Sequence, residues 1–137
     1  MIITNPANIG SKSAIVGVAN TEFSKNSGRS ELQLACEAVR DAIADAGLKP
    51  SDVDGMTTFT MDTNDEIEVA RAVGAGDLSF FSRINYGGGA AVGTIAQAAM
   101  AIATGQATTV VCYRAMNGRS GKRMGQGVSG DISSSDL

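Results

Sequence analysis

Apolar and polar positions along this chain switch repeatedly between the period of a strand and that of a helix. Residues 13–18 (SAIVGV) are short and continuously apolar, the pattern of a buried strand. The stretch that follows, ANTEFSKNSGR, has the Ser, Asn and Gly content of a loop. From Ser30 onward the spacing becomes helical: Leu32, Ala35, Cys36, Val39, Ile43 and Ala46 share one face. Ser30 with Gln33 forms a capping-box signature, and Gly47 stands where a left-handed C-terminal cap is wanted, just ahead of Lys49 and Pro50.

Three more strands and two more helices follow. Residues 52–60 (DVDGMTTFT) predict a strand, and Asn64 caps a shorter helix, DEIEVARAV, whose acidic first turn suits the helix dipole. That helix ends at Gly74, and residues 78–84 (LSFFSRI) predict the third strand. NYGGG then leads into a helix on which Val92, Ile95, Ala96, Ala99, Ile102 and Ala103 share a face. This helix is apolar or small on nearly every side, so it predicts burial all round. Gly105 ends it, and residues 108–113 (TTVVCY) predict a fourth strand. The order β-α-β-α-β-α-β predicts an α/β fold, with a mostly parallel sheet and helices on both faces. Residues 1–12 read as a lead-in and 13–114 as the folded unit. Residues 115–137, rich in Gly and Ser, read as the start of a loop region that stops before a closing element.

Composition narrows the chemistry. The 137 residues suit one domain, 43% apolar, 18% charged and 4% aromatic, with small residues that let helices approach a sheet closely. A net charge of -3 argues against nucleic acid, which rewards a basic stripe. The longest apolar run, residues 90–103, is broken by Gly93, Thr94 and Gln97 and falls short of the roughly 20 residues that cross a bilayer. With no leader pattern at the start, the expected location is cytoplasmic. Cys36 and Cys112 suggest neither a disulfide framework nor a zinc site, and each reads as a small buried hydrophobe. There is no histidine, so Ser-His and Cys-His nucleophilic pairs are excluded for this chain acting alone.

The most informative segment is INYGGGAAVG, residues 84–93, a strand-to-helix junction with consecutive glycines. Such a turn aims backbone N–H groups at whatever lies above the strand end, where a phosphate, a thioester oxygen or an enolate oxygen would fit. It equally suits a crowded turn that brings a buried helix onto the sheet. Gly87 and Gly89 open a G-x-G, but Val92 breaks the dinucleotide fingerprint, and Arg123 after Gly121-Lys122 rules out a P-loop. Arg114, Arg119, Lys122 and Arg123 cluster without an acid among them, fit either for phosphate contact or for solvated surface. The acidic run Asp62, Asp65, Glu66 and Glu68 lacks metal-loop spacing and reads as helix-start and surface charge.

At the glycine junction the chain resembles the thiolase superfamily. In thiolases the third strand enters a buried helix through N-x-x-C-x-S-G-x-x-A, and here Gly89 matches the glycine while Tyr86 stands at the nucleophilic cysteine. AIVGVANTEF, the following ELQLACEAVRDAIADAGLKPSDVDG, and AQAAMAIATGQATTVVCYRAMNGRSGKR resemble the lipid-transfer-protein type, so the likeness runs over residues 13–123. It implies the N-terminal half of a thiolase-like fold, truncated before the half that carries the family's histidine motifs. A lone half leaves its third helix partly uncovered and is expected to be sticky or dependent on a partner.

Within that family the chain is most similar to a cysteine-free branch, the aldolases acting on steroid side-chain CoA thioesters. The resemblance implies retro-aldol cleavage of a β-hydroxyacyl-CoA into a short acyl-CoA and a ketone. It needs no nucleophile and no cofactor beyond the coenzyme A of the substrate. Substrate contacts are expected from Asn85, Gly87, Gly88, Gly89, Arg114 and Arg119. Tyr86 is expected as a pocket wall or as a proton donor, with the acid-base tyrosines in the absent half. The resemblance also implies an OB-fold, zinc-ribbon partner subunit, and a homodimer through the strand from Leu78 to Ile84. Two other readings stand beside it: a noncatalytic assembly module that keeps the dimer surface, and a fragment of an acyl-transferring thiolase, which Tyr86 disfavours because a phenol of pKa about 10 is a poor nucleophile.

Overall fold

A computed structural model describes residues 10–59, 64–85 and 91–119. Among the described residues six elements form in the order α1 (Glu31–Asp45), β1 (Gly55–Phe59), α2 (Glu66–Val73), β2 (Phe80–Ile84), α3 (Gly93–Ala103) and β3 (Val110–Cys112), with a 3-10 turn, Pro50–Asp52, ahead of β1. The three strands are parallel and lie in the order β2-β1-β3. The expected α/β class and parallel sheet are therefore present, and α1 starts and stops where local chemistry requires. Ser30 Oγ accepts from Gln33 N at 3.1 Å. The Gln33 amide donates onward to Glu37 at 3.0 Å, so the return half of the box is not made. At the other end Gly47 takes φ +69°, and Leu48 N donates to Ile43 O while Gly47 N donates to Ala44 O, closing the orphan carbonyls in a Schellman arrangement.

Register fixes which side chains face which layer. Gly55, Thr57 and Phe59 pair with Phe80, Ser82 and Ile84 on β2, and Gly55 and Thr57 also pair with Val110 and Cys112 on β3. Paired residues point to the same face. That face meets α3: an ideal Cβ on Gly93 would lie 3.7 Å from Ile84 Cδ1, and Cys112 Sγ lies 3.7 Å from Thr94 O. On the opposite face Met56, fully buried, joins Val39 and Ile43 of α1 and Val69 and Val73 of α2 in the main apolar core. Helices thus cover both faces, as the alternation predicts.

Four expectations are corrected. Residues 13–18 form no strand, and Ile15, Val16 and Val18 lie exposed. A strand needs a neighbour for its ladder, and among the described residues none pairs with it. This segment is held instead to the end of α1, where Val18 N donates to Asp45 Oδ2 at 2.9 Å and a Cβ on Gly17 would stand 2.2 Å from Ala42 O. Asp65, not Asn64, is the N-cap of α2, and Asn64 is buried. Helix α3 is not buried all round: Thr94, Ala98 and Ala101 face the sheet, while Val92, Ile95 and Met100 are open. Cys112 sits on an edge strand and is exposed as a residue, although its thiol is tucked toward α3.

Candidate functional site

In a parallel sheet the strand ends that carry loops to the helices gather on one side, and there ligands bind. Here that side is framed by Phe59 at the end of β1, Asn85 after β2, and Tyr113 and Arg114 after β3. The Arg114 guanidinium carbon lies 5.1 Å from the Phe59 ring centroid, a cation–π contact that holds the arginine across the strand end. Tyr113 N donates to Thr57 O at 3.2 Å and Thr58 Oγ1 donates to Tyr113 O at 3.3 Å, so the chain leaving β3 stays bound to β1. Asn85, exposed, closes β2 at the opposite edge of the sheet. Tyr86, Gly87, Gly88 and Gly89, and with them Lys122 and Arg123, lie outside the described residues.

A groove of about 840 Å³ opens between the loop of residues 19–27 and the segment of residues 114–119. Arg114 and Arg119 both line it, and the sequence reading brought neither together with the first loop, which contributes Phe23 and Lys25. Phe23 is 97% exposed, and it is the one large apolar side chain in an otherwise polar loop, a signal present in the sequence but unread. Asn117 staples the groove's two walls through its Nδ2, which donates to Arg29 O at 2.6 Å, while its N–H donates to Glu31 Oε1 at 3.1 Å. Arg29 in turn is ion-paired with Glu22 and Glu37. Hydrogen bonding to Arg29 holds the Glu22 carboxyl below its ordinary range, and the same contact with Glu22 raises the Arg29 guanidinium. Arg29 is therefore paired within the protein, and among the described residues Lys25, Arg114 and Arg119 are the cations that line the groove.

The other titratable groups argue structure. Burial raises the Cys36 thiol, and burial pushes Cys112 up to about 11. Both are protonated at neutral pH and unsuited to nucleophilic work. Of the acidic run, Asp65 N bonds Glu68 Oε2 at 3.4 Å at the start of α2, and Glu66, buried, pairs with Arg83 of β2. Among the described residues no group of His, Cys, Asp or Glu is placed to hold a metal ion. Nor, among them, is any helix long and apolar enough to cross a membrane.

The described residues form a parallel α/β fold with a groove beside its strand ends, and the comparisons with known proteins narrow its class. No protein-family model matches the chain. Over 117 residues, 85% of the chain and 30% of the relative, it is 71% identical to a steroid side-chain-cleaving aldolase of Thermomonospora curvata. It is 70% identical over 115 residues, 84% of the chain and 30% of the relative, to the 17-hydroxy-3-oxo-4-pregnene-20-carboxyl-CoA lyase of Mycobacterium tuberculosis. Among solved structures it is similar to an "Ltp2-ChsH2(DUF35) aldolase", with 73% identity and a TM-score of 0.77 over 79% of this chain and 28% of that one. Over the segment it shares with these two relatives the chain is about 70% identical to each, and it spans about 30% of their length.

Proposed function

We propose that this chain is the N-terminal portion of a steroid side-chain aldolase that cleaves a β-hydroxyacyl-CoA in the retro-aldol sense. The observation that carries the reading is identity of about 70% to two such enzymes over about 85% of the chain. In the reaction a base takes the proton of the β-hydroxyl group. The electron pair of the O–H bond becomes the ketone C=O, and the adjoining C–C bond breaks toward the thioester. Its electrons form an enolate that is protonated at carbon, giving a ketone and a short acyl-CoA. Nothing is oxidised or reduced, so no redox cofactor is required. The turn of Asn85, Gly87, Gly88 and Gly89 offers the N–H donors for the enolate oxygen, and Tyr86 forms a wall of that pocket. Arg114 and Arg119, joined by Lys25, take the CoA phosphates.

The base belongs to the rest of the enzyme, so the 137 residues alone are inactive. A DUF35-type subunit, as named in the homologous complex, is the partner, of the OB-fold, zinc-ribbon kind. The enzyme pairs with its own copy along β2, whose outer edge carries Phe81, 57% exposed. Use of a CoA thioester fits a cytoplasmic location. The test is to incubate the full-length enzyme, with its partner, with 17-hydroxy-3-oxo-4-pregnene-20-carboxyl-CoA and follow products by mass spectrometry. A 17-ketone with a three-carbon acyl-CoA supports the reading. Acyl transfer to free CoA, or an intact substrate beside saturable binding, overturns it in favour of a thiolase or a noncatalytic module.

A further inference from the structure

The face of the sheet under α3 is built in rows, and the middle row is polar. Ile84 and Phe59 form the upper row, and Phe80, Gly55 and Val110 the lower one. Between them lie Ser82, Thr57 and Cys112, three side chains with polar atoms directly beside one another. Thr57 is fully buried. Cys112 Sγ is accounted for by Thr94 O at 3.7 Å. Thr57 Oγ1 and Ser82 Oγ, however, are buried hydroxyl oxygens that meet no hydrogen-bond partner in the protein.

Helix α3 supplies a third such atom, Gln97 Oε1, also buried and also without a protein partner. Its place can be worked out. Gly93 stands over Ile84 in the upper row. Gln97 is four residues further, so it shares Gly93's face about 6 Å down the helix. Ser82 is two residues below Ile84 on β2, about 6.6 Å down the strand in the same direction, because a helix that follows a parallel strand runs back antiparallel to it. Gln97 is therefore level with the polar row and on the β2 side of it. Strand register and helix repeat thus put a buried amide oxygen, a serine hydroxyl and a threonine hydroxyl at one level of the sheet, and no two of them bond each other.

We propose that this slot between α3 and the sheet is an internal hydration site holding one water bound by Gln97 Oε1, Ser82 Oγ and Thr57 Oγ1. Each of the three contacts has one donor and one acceptor. The water donates one proton to the amide oxygen and the other to one hydroxyl, and it accepts the proton of the second hydroxyl. Three partners is the usual complement of a buried water. Leaving each of these groups bare would cost the desolvation of a polar atom, about 1–3 kcal/mol apiece. The water ties α3 to β1 and β2 one turn below its N-terminus. It thereby sets the height of the helix end that follows the glycine junction. An apolar row there would fix no such height, since apolar contacts permit sliding.

Two measurements on the full-length enzyme with its partner test the site. A high-resolution crystal structure of the unsubstituted protein should show one water within about 3.2 Å of all three oxygens. A direct bond between Ser82 and Gln97, or an empty slot, overturns the proposal. Independently, Thr57→Val and Gln97→Met preserve shape while each removes one ligand of the water. Each is expected to lower the folding constant about fivefold, and the double variant to fall little further than the single ones because both act on the same water. If Thr57→Val raises stability and the two effects simply multiply, no water bridges them.

Discussion

Asp54 and Thr108 are locked together at the lower end of the sheet, with Thr108 Oγ1 donating to Asp54 Oδ2 at 2.7 Å. The same carboxylate accepts from Thr108 N at 2.9 Å and from Thr109 N at 2.8 Å, and the Asp54 carbonyl takes Ser79 N at 2.8 Å. One residue just ahead of β1 thus gathers the chain entering both of its neighbours. Partial burial alone would raise this carboxyl, but the hydrogen bonds from Thr109 and Thr108 outweigh it and hold it below the ordinary range.

The sign of the consequence follows. A carboxyl that titrates lower folded than unfolded adds stability above the unfolded pKa of about 3.9, and that stability is lost as pH falls through the folded value. Asp54→Ala is expected to cost about 1–2 kcal/mol at pH 7. The gap between variant and parent should begin to close below about pH 4 and go on closing as pH falls through the lower folded value. Urea titrations at pH 7 and pH 3 measure both. A gap that is the same at the two pH values would mean the carboxylate charge is irrelevant to the clasp.

A second tie joins β2 to α2. Arg83 Nε lies 3.2 Å from Glu66 Oε2, and Arg83 Nη2 lies 2.6 Å from Asp65 Oδ1. Hydrogen bonding to Glu66 and then Asp65 raises the guanidinium, against a smaller opposing effect of burial. Glu66 is buried while Arg83 is about one-third exposed, so the harm in Arg83→Met comes from leaving the glutamate unpaired. A loss of about 1–2 kcal/mol is expected, discounted from the fully buried case for solvent screening. Adding Glu66→Gln should recover part of it. A double-variant cycle by chemical denaturation reads this, and strict additivity would show that the pair does not interact.

Which parts of this molecule were legible in the sequence depends on how far their causes lie along the chain. Helix α1 was readable because Ser30, Gly47 and the apolar stripe between them are local. Residues 13–18 misled because an apolar run shows that burial is wanted without naming the neighbour that provides it. The cap of α2 was off by one because Asn64 and Asp65 are adjacent and both suit the role. The groove was missed because it joins Lys25 to Arg119 across most of the chain, and no spacing rule connects them. The polar row under α3 was invisible for a similar reason, since only register places Ser82 beside Thr57 and Cys112.

The β2 edge gives a prediction about assembly. In the sheet β2 pairs with β1 alone among the described strands, and Phe81 projects from it more than half exposed. An apolar edge of this kind invites pairing with another copy. Phe81→Glu in the full-length enzyme is expected to convert a dimer to a monomer at micromolar concentration, as measured by light scattering. The fold should survive, because Phe81 is 57% exposed and takes no part in the main apolar core. An unchanged mass would place the dimer contact elsewhere.

Tyr86 is the sharpest test of the chemistry. It follows Asn85, two positions after the end of β2, where the thiolase resemblance puts an acyl-accepting cysteine. If it serves as a wall, Tyr86→Phe keeps the ring and loses only the hydroxyl, and kcat should stay within about threefold. A general acid removed from the transition state would cost about 100-fold or more, with the acidic limb of the pH–rate profile altered. Tyr86→Cys supplies a thiol, but these 137 residues hold no histidine, so any imidazole to activate it must come from the rest of the enzyme. If the whole enzyme works as an aldolase and has lost the acyl-transfer machinery, no acyl-enzyme should form when the full-length protein is mixed with acyl-CoA and examined by intact mass. An acyl adduct on that cysteine would mean that the thiolase machinery is still in place and that only its nucleophile has been exchanged.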